Sequence, residues 1–197
     1  LVMRVFIAVI ILIFSLQSWA KADNIKDFEI EGMSVGDSLL NFFNLKEIQK
    51  AEDNPSYYPK SNKYKVIYFD SKTGDLFDYI NITLKDNDEK YIIYAIRGEK
   101  EISLDTCFKM KIKQIKGIEN MLSNIDKNEY ISGYGNNYGN SEAHVTDYSF
   151  KDGSEIRIFC ADFDDKNENV KDSLWKDSLE VSISSKEFTY FLAHEAY

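Results

Sequence analysis

The alternation of apolar and polar residues divides the chain into two rounds of one plan. In the first round Val35, Leu39, Phe42 and Phe43 recur at i, i+4, i+7 and i+8 and predict a helix over about 35–50. Ser34 followed by Asp37 marks its start: the hydroxyl accepts from the Asp37 N–H and the carboxylate sits on the positive end of the helix dipole. After a turn-rich stretch, 52–59, three runs read as strands. Tyr64–Phe69 is dense in β-formers. The next run has two phases, with Leu76, Ile80, Ile82 and Leu84 on one face and Phe77, Tyr79, Asn81 and Thr83 on the other. Tyr91–Ile96 is the third, closed by Gly98. The turns Thr73-Gly74-Asp75 and Asp86-Asn87-Asp88 are too short for crossovers, so the runs form an antiparallel meander.

The second round opens on Phe108, Ile112, Ile115, Ile118, Leu122 and Ile125, a helical stripe with Asp105 at its N-cap and lysines on its solvated face. Ile131–Asn140 reads as a Gly/Asn/Tyr loop. Strands follow at Glu142–Phe150, Ser154–Phe163 and Ser178–Ser184, the first two joined by an Asp152-Gly153 hairpin turn. Ser184 to Glu187 caps a short terminal helix bearing Phe188, Phe191 and Leu192. The fold class is α+β. Two helix-plus-antiparallel-meander halves (α-βββ over 23–102, α-βββ over 103–197) and a short C-terminal helix form one unit, with the helices on one face of the sheet.

The first 22 residues stand apart from this plan. Arg4, the twelve-residue apolar run Val5–Leu16 and Ala20-Lys21-Ala22 have the order of a secretory signal peptide. The run is shorter than the roughly 18 residues of a spanning helix. Cleavage near Ala20 or Ala22 predicts a periplasmic or secreted protein with no stable membrane anchor. Removing Arg4 and Lys21 leaves 33 acidic residues against 22 basic ones, a net charge of −11. That charge argues against nucleic acid and anionic membranes as partners. Two cysteines, Cys107 and Cys160, predict one disulfide in an oxidising compartment.

The stretches Phe28–Leu40, Tyr58-Pro59-Lys60-Ser61, Ile158-Phe159-Cys160 and Leu179–Phe188 resemble an uncharacterised family of exported proteins from marine alphaproteobacteria. The resemblance implies export and no particular activity. Gly32-Met33-Ser34 opening a helix before a meander is similar to small envelope domains of the β-lactamase-inhibitor-protein and SmpA/OmlA type. That similarity implies binding of other proteins.

Catalytic chemistry has one candidate. Gly36-Asp37-Ser38-Leu39 matches the first block of the GDSL (SGNH) hydrolases and would make Ser38 the nucleophile. Gly135-Asn136-Asn137 approximates the block that supplies an Asn, here Asn137, and His194 falls where the base belongs. The base block needs Asp three residues before the His, and Phe191 stands there. A serine without an oriented base has no ordinary route to activation, so Ser38 reads first as part of a helical turn. Two histidines 50 residues apart and no Cys/His spacing of zinc type predict no metal site. The acidic loop 162–169 fails the EF-hand register, with Val170 at the required Gly and Lys176 at the bidentate Glu. Gly133–Gly139 is no dinucleotide fingerprint, since its last Gly is late and it follows a helix, so no cofactor is expected. His144 reads as a surface or satisfied strand residue. Tyr130, Tyr134, Tyr138 and Trp175 are the candidate ligand-contact residues, through their rings. The function expected is a non-enzymatic binding or protein-interaction module of the cell envelope, with an unknown protein or small polar ligand as partner. A divergent serine hydrolase is the alternative.

Overall fold

Ile67, Ile82, Ile96, Ile183 and Ile156 stand side by side across five neighbouring strands, each at most 2% exposed. This isoleucine row is the spine of one antiparallel sheet in a computed structural model that describes residues 24–122, 125–171, 173 and 175–197. The proposed signal peptide lies outside the described residues. The strands are β1 (Ser56–Tyr58), β2 (Ser61–Asp70), β3 (Tyr79–Lys85), β4 (Ile93–Glu101), β5 (Asp126–Gly133), β6 (Glu142–Ser149), β7 (Glu155–Asp162) and β8 (Ser178–Ser184). Their order is β1-β2-β3-β4-β8-β7-β6-β5. The α-helices are α1 (Leu45–Ala51), α2 (Leu104–Met121), α3 (Glu168–Lys171) and α4 (Lys186–His194). The fold is thus α+β and mostly sheet.

Helix α2 lies on the isoleucine face, over β7 and β8, and Cys107 in its first turn is joined to Cys160 of β7 with the Cα atoms 5.9 Å apart. Helix α4 occupies the other face. Its Phe188 and Phe191 pack on Tyr64 and Ala95, whose strand phase is opposite to that of Ile67 and Ile96. The expectation of helices on one face is therefore corrected. The second phase reads as polar in β3 but carries an aromatic seat in β2, and Phe188 and Phe191 are buried there.

Two local readings also change. The predicted helix over 35–50 is a 3-10 turn (Leu39–Asn41) followed by α1 alone. Gly36 stands at φ +91°, which no helix accommodates, and its N–H goes to the Ile93 carbonyl. Ser34 does not cap; its N–H donates to Asp37 Oδ2 at 2.9 Å and its hydroxyl to the Lys26 carbonyl. The cap belongs to Asn44, which exchanges hydrogen bonds with Glu47 in a capping box. Val35, Leu39 and Phe43 are buried all the same. In the second round α2 stops at Met121, and the predicted Gly/Asn/Tyr loop gives way to edge strand β5 up to Gly133. All eight residues of β5 are exposed, so it shows none of the burial alternation by which strands are recognised.

Candidate functional site

The face turned away from α2 carries a different row. Register sets Tyr68, Asn81, Arg97, Ser182, Arg157 and Asp147 side by side across β2, β3, β4, β8, β7 and β6. Thr83, Ala95, Ser184 and Glu155 flank this row on one side, and Glu99, Glu180 and Phe159 on the other. Strand alternation explains the contrast: each residue lies one position from an isoleucine-face neighbour, as Arg97 follows Ile96 and Arg157 stands between Ile156 and Ile158. Arg97 and Arg157 are the only arginines after residue 4, in a chain otherwise supplied with lysine. A planar guanidinium can hold a carboxylate in a fork, which an ammonium cannot.

Both arginines are clamped from within the sheet. Arg157 binds Asp147 through Nε to Oδ1 at 2.8 Å and Nη2 to Oδ2 at 3.1 Å, and its Nη2 lies 3.0 Å from Glu155 Oε1. The Tyr130 hydroxyl donates to the same Asp147 carboxylate at 2.9 Å. Arg97 Nη1 lies 3.0 Å from Glu180 Oε2, a close charge contact without the alignment of a hydrogen bond. Asn81, with its amide oxygen turned toward the guanidinium, accepts from Nε at 3.1 Å and Nη2 at 3.0 Å. The carboxylates are buried, Asp147 and Glu180 each keeping 9% of their side-chain surface, while Arg97 keeps 41% and Arg157 35%. Burial pushes the Glu180 carboxyl above its ordinary range despite Arg97, and burial likewise raises Glu155 despite Arg157.

Aromatic residues wall this floor at both ends. At one end Tyr58, Phe188, Leu192 and Tyr197 border a cavity of about 380 Å³ that has Arg97, Arg157, Phe159 and Ser182 among its lining. Burial, with Tyr197 beside it, lifts the Tyr58 hydroxyl to about 12. At the other end Tyr138 stacks on Trp175 at 4.6 Å, and Tyr134 and Phe163 lie against the same indole. Burial and nearby Glu180 raise the Tyr134 hydroxyl as well.

Of the residues predicted to contact a ligand, Tyr134, Tyr138 and Trp175 form one cluster, whereas Tyr130 sits on β5 as a partner of Asp147. The hydrolase candidates are dispersed in their bonding. Ser38 donates its hydroxyl to the Lys90 carbonyl at 2.7 Å, the Asn137 carbonyl accepts from Asn169 Nδ2, and the His194 ring lies on Tyr190. In the acidic loop Asp164 accepts from the Lys166 and Asn140 N–H groups. Sequence reasoning missed Arg97 and Arg157. The signal available was their rarity and their position inside apolar strands.

Comparison of the chain with protein-family models, curated proteins and solved structures returns no match in any of the three. No helix among the described residues is long and apolar enough to cross a membrane. The disulfide points to an oxidising, non-cytoplasmic compartment.

Proposed function

We propose that the chain is a periplasmic or secreted binding module, built from two helix-plus-meander halves (23–102 and 103–197), whose ligand seat is the bowl floored by Arg97 and Arg157. One observation carries this reading. Two guanidinium groups, fixed by buried carboxylates, keep accessible surface in a cavity of about 380 Å³ with aromatic walls. Because Asp147, Glu155 and Glu180 already offset both arginines, the floor offers donors and acceptors in alternation and no excess positive charge. A small neutral polar ligand that both donates and accepts, and that lays an apolar face on tyrosine rings, fits this chemistry best. Saccharides and short peptides have that character.

The test uses Trp175, the one tryptophan among the described residues, as a fluorescence reporter for panels of neutral saccharides and short peptides. Wild-type protein should respond to a member of these panels, and Arg97→Lys with Arg157→Lys should weaken that response at least about tenfold, the loss expected of a broken fork. Undiminished binding in the double variant would move the seat elsewhere.

A further inference from the structure

A second constellation lies on the α2 face, away from the bowl. Glu142 and His144 of β6 and Asp162 of β7 each offer one ligand atom, and the three atoms lie within 4.8 Å of one another. His144 Nε2 is 3.0 Å from Glu142 Oε1. Strand pairing produces the cluster: Glu142 is directly opposite Asp162, and His144 is opposite Cys160. Two carboxylates directly opposite on antiparallel strands repel, and a sheet normally avoids the arrangement. Asp164 and Asp177 add further negative charge around Asp162. Those two neighbours have donors, since Asp164 accepts from the Lys166 and Asn140 N–H groups and Asp177 from the Phe163 N–H. The half-buried Asp162 carboxylate accepts no hydrogen bond among the described residues. Lys111 donates to the His144 carbonyl, and so does not neutralise the group. The His144 ring is held edge-on by Phe108, with centroids 4.9 Å apart.

We propose that Glu142, His144 and Asp162 bind one divalent first-row transition-metal cation of the zinc type. An imidazole nitrogen among the ligands selects such an ion over calcium or magnesium, which take oxygen alone. Tetrahedral ligands at about 2.0–2.2 Å from zinc lie about 3.4 Å from one another. The cluster therefore reaches bonding geometry when its ligand atoms close by at most about 1.4 Å, the difference between 4.8 Å and that spacing. Three protein ligands leave a fourth position open to water or to an exogenous group. The ion would tie β6 to β7 next to the disulfide and relieve the carboxylate repulsion. Sequence spacing cannot show this site, because Glu142-x-His144 meets Asp162 only through strand register.

The experiment is zinc titration of the untagged full chain by calorimetry, with cobalt(II) absorption as a spectroscopic reporter of the ligand set. One ion per chain and a rise in melting temperature with zinc are expected. His144→Gln and Asp162→Asn should each weaken binding by at least about tenfold, and His194→Gln should leave it unchanged. Glu142→Gln, at a side chain 38% exposed, is the variant least able to disturb folding and should weaken binding too. No binding at millimolar zinc, or binding retained in His144→Gln, would overturn the proposal. Calcium competing on equal terms with zinc would also overturn it and assign the charge to the acidic loop.

Discussion

Asp147 and Arg157 face one another across β6 and β7 and are joined by two hydrogen bonds, of 2.8 Å and 3.1 Å. The carboxylate is buried and the guanidinium is its matching fork. Arg157→Met leaves Asp147 in the sheet with the Tyr130 hydroxyl as its remaining side-chain donor, so unfolding in urea should show a loss of about 3 kcal/mol. Arg157→Lys keeps the charge without the fork and should lose about half of that. Equal stability of wild type and Arg157→Met would show that the pair contributes nothing net.

Glu180 gives the protein a pH dependence of a stated sign. Its folded carboxyl is raised from the ordinary 4.5 by burial. Below about 4.5 both folded and unfolded states hold this proton, and the group has no effect on stability. As pH rises from there to the raised folded value, the unfolded chain releases the proton while the folded chain retains it, and stability falls. Glu180→Gln should remove that decline and raise the melting temperature at pH 7 relative to wild type. Parallel melting curves across pH 4–8 for the two proteins would refute the burial argument.

The Cys107–Cys160 bridge spans a sequence separation of 53 residues and pins α2 to β7. On the chain-entropy estimate a loop of that length is worth about 4 kcal/mol. Non-reducing intact mass should show no alkylatable thiol, and reduction should lower the melting temperature. The paired variant Cys107→Ala/Cys160→Ala should melt near the reduced wild type.

Ser38 has a structural use for its hydroxyl in the 2.7 Å bond to the Lys90 carbonyl, which ties the 3-10 turn Leu39–Asn41 to the approach to β4. Ser38→Ala should cost about 1 kcal/mol, the ordinary net worth of such a bond. An organophosphate probe should leave Ser38 unlabelled. Labelling there would promote the serine hydrolase reading over the binding module.

Strands that set their apolar residues in one strand phase of the sequence were legible, whether or not their burial alternates. Predicted Ser178–Ser184 is β8 itself, and Glu142–Phe150 and Ser154–Phe163 overlap β6 and β7 to within one residue at each end. Edge strand β5 was not legible, because none of its residues is buried and Gly133 to Gly139 reads as turn. The misread helix at 35–50 has a local cause. Val35, Leu39 and Phe43 carry a true apolar stripe, but Gly36 in a left-handed conformation turns the chain before the stripe can be wound. The bowl was hidden for a different reason. Arg97 and Arg157 look like solvent-face residues in their separate strands, and only the pairing of Arg97 with Ser182, 85 positions away, sets them in one row.

The β4–β8 seam has a kinetic meaning. Every other ladder in the sheet joins strands that are consecutive in the chain, so each four-stranded meander can zip up from its own turns. The seam alone joins distant segments, Ala95–Glu101 with Ser178–Ser184, and its closure carries the largest single loop entropy among the ladders of the sheet. Helix α4 follows β8 directly and reaches back over the seam to Tyr64, while Glu195 meets Lys63 at 2.9 Å. The topology therefore predicts that closure and clasp form together, after the local ladders of the two meanders. Weakening the clasp at Phe191 should speed unfolding far more than it slows the formation of either meander.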